Sequence, residues 1–226
     1  MIYEIKDTNK ISPLFGHWEE TLIWSCLQGI MGKIYANDLT APTAAMAVIG
    51  DFTFFAGEPC PELIAYRPPH CTQNFMIAVP QNKLWENMLT QFYGKKAKII
   101  SRYATKKEPP IFNKHHLEKI VASLPKQYTL SMIDSHFYKL CKSEAWSKDL
   151  VSQFSTYEKY RRLGIGVVIS KDGLIISGAS SYSRYQNGIE IEIDTRIPEK
   201  RLCLHMRRKT DLRMLKAELI SQLGCT

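Results

Sequence analysis

The second half of the chain contains three consecutive segments, rich in β-branched and other apolar residues, that have the pattern of strands. They span residues 165–170, 174–183 and 189–195. One intervening turn contains Asp172-Gly173 and the other contains Asn187-Gly188, and both pairs are typical of tight hairpins. The spacing predicts an antiparallel meander of three strands. A strand over residues 128–134 and two helices precede the meander.

The first half mixes helical and strand patterns. Apolar residues at three-to-four spacing predict three helices, around residues 18–34, 84–92 and 117–124. Strand-like runs predict four strands, over residues 43–49, 51–56, 75–79 and 97–103. Gly50 separates the first two strands as a hairpin turn, and the proline-rich residues 57–71 predict an irregular loop. With a boundary at Pro125-Lys126-Gln127, we expect a mixed α/β protein in which an α+β domain (1–126) precedes a second domain (127–195).

Composition excludes several classes of protein. The chain has 226 residues, of which 45% are hydrophobic and 23% charged, as in soluble globular proteins. No apolar run approaches the roughly 20 residues that cross a bilayer, and no secretory signal precedes the first helix. The six cysteines are widely spaced and form no C-x-x-C pair, which predicts reduced thiols and a cytoplasmic protein.

The formal net charge of +8 raises the question of nucleic-acid binding. Residues 196–226 contain eight Lys/Arg and three Asp/Glu, a net charge of +5, so residues 1–195 contribute only +3. A protein that follows a phosphate backbone needs its basic residues spread over a folded surface. The distribution therefore makes a basic nucleic-acid-binding protein the weakest alternative, and we expect neither a nucleic-acid nor a membrane partner.

The last strand of the meander carries the clearest candidate chemistry. In the run Ile189-Glu190-Ile191-Glu192-Ile193-Asp194-Thr195, alternation places the isoleucines on one face and the three carboxylates on the other. Such a row is either the solvated face of an edge strand or the location of a general base. A carboxylate base works best when burial or neighbouring negative charges raise its pKa towards neutrality.

Several motifs resemble those of the GCN5-related N-acetyltransferase (GNAT) superfamily, and most closely its zwittermicin-resistance-like branch. They are Phe154-x-x-Tyr157-x-x-Tyr160-x-x-x-Gly164-x-Gly166, Ser177-Gly178-Ala179-Ser180-Ser181-Tyr182-Ser183, the strand 189–195 and, in the first half, Trp24-x-x-Leu27-Gln28-Gly29 with Gly50-Asp51-Phe52. The resemblance covers most of residues 15–195. It implies a GNAT-like second half in which a strand and two helices precede the antiparallel meander.

The resemblance also implies an activity. GNAT enzymes transfer an acetyl group from acetyl-CoA to an amine, here expected to be a primary amine of a small molecule, with an antibiotic as one candidate. The expected catalytic bases are Glu192, which we prefer, and Glu190. The expected cofactor-binding residues are Ile193, Asp194 and Thr195, whose backbone would orient the thioester. No metal is expected, and neither His115-His116 nor the group Cys60, His70 and Cys71 has the spacing of a metal site.

The superfamily's phosphate-binding motif, Q/R-x-x-G-x-G/A at the start of a helix, is expected directly after residue 195. Arg161-Arg162-Leu163-Gly164-Ile165-Gly166 fits the letters, but we predict that it ends a helix and begins a strand, which is the reverse of the required context. Read from the second base of each codon, residues 196–203 can encode G-Y-Q-R-K-G-F-A, which contains Q-x-x-G-x-A. Residues 204–226 can likewise encode Y-I-C-G-A-K-L-I-L-E-C-L-K-R-N-L-Y-P-S-W-D-A, an amphipathic helix and the start of a strand.

We therefore hypothesise that residues 196–226 are an out-of-frame, poorly specified tail and that the chain is a frameshifted, truncated translation of a longer acetyltransferase. The expected consequence is a chain that lacks the pyrophosphate loop and is inactive. The alternative from a different functional class is a non-catalytic binding or remnant protein with the same fold.

Overall fold

The computed structural model describes residues 1–101 and 113–196. Its contacts divide the chain into two compact units between residues 104 and 105. The division precedes helix α5 (Lys114–Ala122) rather than following it at Pro125-Lys126-Gln127. Leu124, just after this helix, packs against a cluster of the second unit that includes Tyr128 and Ile169, which explains why the helix belongs to that unit.

The first unit is built on a five-stranded sheet. Its strands, in spatial as well as chain order, are β1 (Tyr3–Ile5), β2 (Lys33–Ala36), β3 (Ala44–Ile49), β4 (Phe52–Gly57) and β5 (Ile77–Pro80). The first four strands pair antiparallel, whereas β5 lies parallel to β4, with Phe52 opposite Ile77. The hairpin predicted around Gly50 is confirmed as β3–β4.

Four α-helices accompany this sheet, namely α1 (Ser12–Phe15), α2 (Thr21–Leu27), α3 (Pro61–Ala65) and α4 (Lys83–Tyr93). Helix α4 begins where the side chain of Asn82 accepts hydrogen bonds from the amides of Leu84 and Trp85, and Gly94 follows its last residue as the C-cap. The prediction for residues 18–34 was wrong in part, because α2 ends at Leu27 and a strand follows. Residues 57–71 include α3, and residues 97–101 form no strand, so these two predictions were also wrong.

The main core of the first unit lies against β3 and β4. Its fully buried side chains include Trp85, Phe55, Met46 and Leu63. The rings of Phe55 and Trp85 lie 5.2 Å apart, and Trp85 Nε1 donates a hydrogen bond of 2.9 Å to the carbonyl of Gly57. The indole therefore joins α4 to the end of β4 by both packing and a polar contact.

Gly57 occupies a position that excludes a side chain. Its φ of +80° lies in the left-handed region, and a Cβ atom there would meet the carbonyl oxygen of Thr43. We expect Gly57→Ala to lower the free energy of unfolding by about 2 kcal/mol. Gly16→Ala is the matched control, because Gly16 also has a positive φ, +57°, but no atom lies within 4 Å of the place that a Cβ would take. Urea denaturation of both variants measures the difference, and an equal loss of stability would contradict the proposed backbone clash.

The second unit contains a four-stranded antiparallel sheet. Its strands follow chain order as β6 (Thr129–Met132), β7 (Gly166–Lys171), β8 (Leu174–Tyr185) and β9 (Gly188–Thr195). Helices α6 (Ser135–Ser143) and α7 (Tyr157–Leu163) lie between β6 and β7 in the sequence. The predicted order of one strand, two helices and a three-stranded meander is thus confirmed.

Helix α7 differs from the sequence prediction at its N-terminal cap and agrees with it at its C-terminal end. The run Ser155-Thr156-Tyr157-Glu158 has the form of a capping box with Ser155 as the N-cap, but the N-cap of the helix is Thr156, whose hydroxyl accepts a hydrogen bond from the amide of Lys159. The helix ends at Gly164, and β7 begins at Gly166. The Arg161–Gly166 motif therefore stands at the end of a helix and the start of a strand, as predicted.

Candidate functional site

Strand β9 places its apolar and acidic side chains on opposite faces of the sheet. Ile189 and Ile193 pack against Ala179 of β8, as does Val167 of β7. Glu192 lies directly opposite Ser180, and Glu190 lies opposite Ser183. The alternation predicted from the sequence is therefore present, and the carboxylates share a face with serines of the neighbouring strand.

The backbone of β9 has one edge paired and the other facing away from β8. The amide of Arg196 donates a hydrogen bond of 2.9 Å to the carbonyl of Ile176. Since backbone groups alternate in direction along an antiparallel strand, the amides of Glu192 and Asp194 also point towards β8, whereas those of Ile191 and Ile193 point away. In the described parts of the chain, no strand pairs with that second edge.

The three predicted cofactor-binding residues differ in what their amides do. The amide of Thr195 donates a hydrogen bond of 2.7 Å to the carboxylate of Asp194, and the hydroxyl of Thr195 lies 2.9 Å from that of Ser177. The amide of Asp194 is directed at β8. The amides of Ile193 and Thr195 both point away from β8, but that of Thr195 is already bonded to Asp194, so Ile193 is the member of the set that offers its amide to the open edge.

Glu192 lies opposite a buried polar contact that sequence patterns did not reveal. The hydroxyls of Ser180 and Tyr160 lie 2.9 Å apart, and both residues are almost completely buried. Burial raises the pKa of Tyr160 far above its usual value, so this hydroxyl stays protonated over the working range of a protein. The contact joins α7 to β8 at Ser180, which is the residue opposite Glu192 on β9.

Glu190 has a different environment. Its neighbour Ser183 is fully buried, and no described group forms a hydrogen bond with the Ser183 hydroxyl. The nearby Tyr185 has a raised pKa, mainly because it is partly buried and also because of the negative charge of Glu190. Glu190 thus lies opposite one hydroxyl-bearing residue of β8, Ser183, and close to a second, Tyr185, which is nearer the hairpin turn.

Removing the hydroxyl of Tyr160 tests the contact behind Glu192. We expect Tyr160→Phe to lower the free energy of unfolding by about 1.5 kcal/mol, because the buried hydroxyl of Ser180 loses its short hydrogen bond. Tyr157→Phe is the control, since Tyr157 lies on the same helix and its hydroxyl has no hydrogen-bond partner among the described residues. Urea denaturation followed by circular dichroism measures both variants. Equal stabilities for Tyr160→Phe and the unaltered protein would contradict this account.

The other candidate sites in the described residues offer weaker evidence of a function. No cluster of three or more His, Cys, Asp or Glu side chains in residues 1–101 and 113–196 could hold a metal ion. His70 instead lies 3.3 Å from the hydroxyl of Tyr35, and the thiol of Cys60 donates to the carboxylate of Glu62. Across the same residues, none of the helices combines the length and apolar composition needed to cross a bilayer. The predicted phosphate-binding segment at residues 197–226 lies outside the described residues.

Comparisons with known proteins identify the family and fold that the chain resembles. The model of the family described as GNAT acetyltransferase matches residues 12–205. A crystal structure of a GCN5-related N-acetyltransferase-like protein from Streptococcus suis is similar to this chain, with a TM-score of 0.82 and 39% sequence identity over 97% of this chain and 84% of that one. A comparison with curated proteins found no match.

These similarities extend over both units and include the meander that presents the carboxylates of β9. They confirm the predicted mixed α/β fold class. Because the family match covers well over half of the sequence and agrees with the observed topology, the chain belongs to the GNAT acetyltransferase family.

Proposed function

We propose that the second unit is part of the catalytic domain of an acetyltransferase that uses acetyl-CoA to acetylate a primary amine of a small molecule, with an antibiotic among the candidate acceptors. We also propose that the protein belongs to the zwittermicin-resistance-like branch. Family membership supports the general activity. The observation that carries the proposal is the composition of β9, which combines outward-facing amides at Ile191 and Ile193 with the carboxylates of Glu190 and Glu192.

The edge of β9 fits the acyl end of acetyl-CoA. An extended chain that contains amide and carbonyl groups can pair with an exposed strand edge through backbone hydrogen bonds. Acetyl-CoA, when bound, supplies an activated acyl thioester. The amide of Ile193 is proposed to donate a hydrogen bond to the acyl carbonyl oxygen, which becomes more negative as the amine attacks and therefore benefits from a fixed donor.

The carboxylates of β9 are proposed to handle the proton of the acceptor. An aliphatic amine is largely protonated at neutral pH and cannot attack a carbonyl carbon until a proton has left its nitrogen. Glu192 accepts that proton, directly or through a water molecule, and the free lone pair then forms the new C–N bond. The acyl C–S bond breaks, and coenzyme A leaves as a thiolate that takes up the second proton released by the attacking nitrogen. We prefer Glu192 because the residue opposite it on β8, Ser180, is fixed by its contact with Tyr160. The residue opposite Glu190 is Ser183, and its hydroxyl has no described partner.

A finer proposal concerns residues 196–226. We propose that a change of reading frame after residue 195 removes the pyrophosphate loop and that this chain is therefore inactive. Three lost hydrogen bonds of about 1.5 kcal/mol each would weaken binding of acetyl-CoA by about a thousandfold. The family match ends at residue 205, beyond the proposed change of frame.

The experiment compares this chain with a frame-restored variant, which reads the alternative frame from codon 196 to the next stop codon of the genomic DNA. Isothermal titration calorimetry with acetyl-CoA is expected to show micromolar binding by the variant and about a thousandfold weaker binding by this chain. Mass spectrometry of a panel of small primary amines is expected to show acetylation by the variant alone.

The outcomes separate the two levels of the proposal. Acetylation by this chain would contradict its inactivity, and a genomic sequence with one continuous frame and no related alternative would contradict the frame change. If the variant binds no acetyl-CoA, the proposed activity itself is wrong.

A further inference from the structure

A cavity of about 240 Å³ lies within the first unit, between β3 and β4 of the sheet, the segment after α3 and the end of α4. Five aromatic side chains line it, namely Phe55, Tyr66, Phe75, Phe92 and Tyr93. Phe55 is fully buried at the floor, whereas Phe75 and Phe92 are 59% and 50% exposed. The walls thus offer an apolar, largely aromatic space of a size suited to a small molecule.

Thr53 contributes a hydroxyl to the wall of the cavity. The residue lies on β4 and is only 6% exposed. No hydrogen bond involves the Thr53 hydroxyl in the part of the chain that the structure describes. Among the described residues only Ser183 has a side-chain polar atom that is both buried and unpaired, so the hydroxyl of Thr53 is accessible to water. A polar atom of a ligand in the cavity can take the place of that water.

The positive charge at the cavity comes from Arg67. Its Nε–H donates a hydrogen bond of 3.2 Å to the carbonyl of Cys71, and within residues 1–101 and 113–196 no carboxylate lies within 4 Å of the guanidinium. Burial raises the pKa values of Cys71 and Tyr93, and the charge of Arg67 lowers both in part. The positive charge of the guanidinium therefore affects both Cys71 and Tyr93 in the cavity wall. Its terminal N–H groups can still donate hydrogen bonds to a ligand.

We propose that this cavity binds a small monocarboxylic acid with an aromatic or similarly apolar body. Arg67 pairs with the carboxylate, since a guanidinium offers two parallel donors that match its two oxygens. The hydroxyl of Thr53 bonds to a polar atom of the ligand, and the aromatic walls hold its body. Asp51 also lines the cavity, and its negative charge raises the pKa of Cys71. This charge opposes any anionic ligand, and it opposes one with two carboxylates most strongly, because Arg67 pairs with only one of them.

This inference is independent of the proposed acetyl transfer, because every residue that it uses lies in the first unit. The test uses the full chain and phenylacetate, with two matched compounds. Phenylacetamide has the same shape without the charge, and phenylmalonate carries a second carboxylate. Calorimetry is expected to show binding of phenylacetate at least about tenfold tighter than that of either matched compound.

Cysteine labelling locates the binding. Cys71 lines the cavity, whereas Cys60 is similarly half-buried but does not. We expect phenylacetate to slow the reaction of Cys71 with iodoacetamide, as followed by peptide mass spectrometry, and to leave that of Cys60 unchanged. Equal protection of both thiols, or protection of neither at millimolar phenylacetate, would overturn the proposal.

Two substitutions test the assigned contacts. Arg67 is exposed, so Arg67→Gln is expected to fold normally and to weaken binding by about tenfold or more. Thr53→Val preserves the shape of a buried side chain and is expected to weaken binding severalfold, with the melting temperature as a check on folding. Unchanged affinity in Arg67→Gln, or affinity for phenylacetamide equal to that for phenylacetate, would exclude a carboxylate-binding role.

Discussion

Replacing Trp85 with alanine is expected to lower the free energy of unfolding of the first unit by about 4 kcal/mol. The side chain is fully buried, contacts the ring of Phe55 and donates a hydrogen bond to the carbonyl of Gly57. Truncation would leave a large cavity between α4 and the sheet and would also leave that carbonyl without its indole donor. Guanidinium denaturation followed by circular dichroism measures the loss.

Two further variants separate the contributions to this loss. Trp85→Phe retains most of the apolar volume but not the Nε1 donor, so we expect it to cost about half as much. Leu84→Ala changes the preceding residue of the same helix, which is 65% exposed, and should alter stability by no more than about 0.5 kcal/mol. If Trp85→Ala proved no more harmful than Leu84→Ala, the description of the core would be wrong.

The second large effect concerns the proposed base. In the frame-restored variant, Glu192→Gln is expected to reduce kcat/KM by about 10²–10³-fold, because glutamine has similar size and cannot accept the proton of the amine. The deficit should shrink as the pH rises towards the pKa of the acceptor amine, since the free amine then forms without a base. Measuring kcat/KM against pH provides a readout that a merely structural role of Glu192 would not change.

Substitutions of the neighbouring carboxylates make this comparison specific. Glu190→Gln and Asp194→Asn alter the same face of β9, and each is expected to reduce kcat/KM by less than about tenfold. Asp194 already accepts a hydrogen bond from the amide of Thr195. A pH-dependent deficit in Glu190→Gln, with near-normal activity of Glu192→Gln, would transfer the role of base to Glu190.

The features that the sequence predicted correctly depend on local chemistry. The β3–β4 hairpin follows from two β-rich runs around Gly50, and the meander follows from turns that contain Asp172-Gly173 and Asn187-Gly188. The face on which Glu190 and Glu192 lie follows from period-two alternation alone. Each of these signals spans only a few residues, so a single sequence is sufficient to show it.

The features that the sequence did not predict depend on partners distant along the chain. Strand β2 continues an apolar pattern that began in α2, and only its pairing with β1 and β3 defines it as a strand. The contact of Tyr160 with Ser180 requires the register of β8 and the position of α7 together. The cavity near Arg67 likewise depends on how α3, α4 and the sheet pack, which no local pattern encodes.

The parallel pairing of β4 with β5 has a consequence for how the first unit forms. Parallel neighbours cannot be joined by a tight turn, so the residues between Gly57 and Ile77, which include α3, must return along the sheet before β5 can pair with β4. Contacts that close longer loops form more slowly than hairpins do. Until β5 arrives, the outer edge of β4, which is rich in phenylalanine, is open to pairing with other chains, so self-association during synthesis or refolding would begin there.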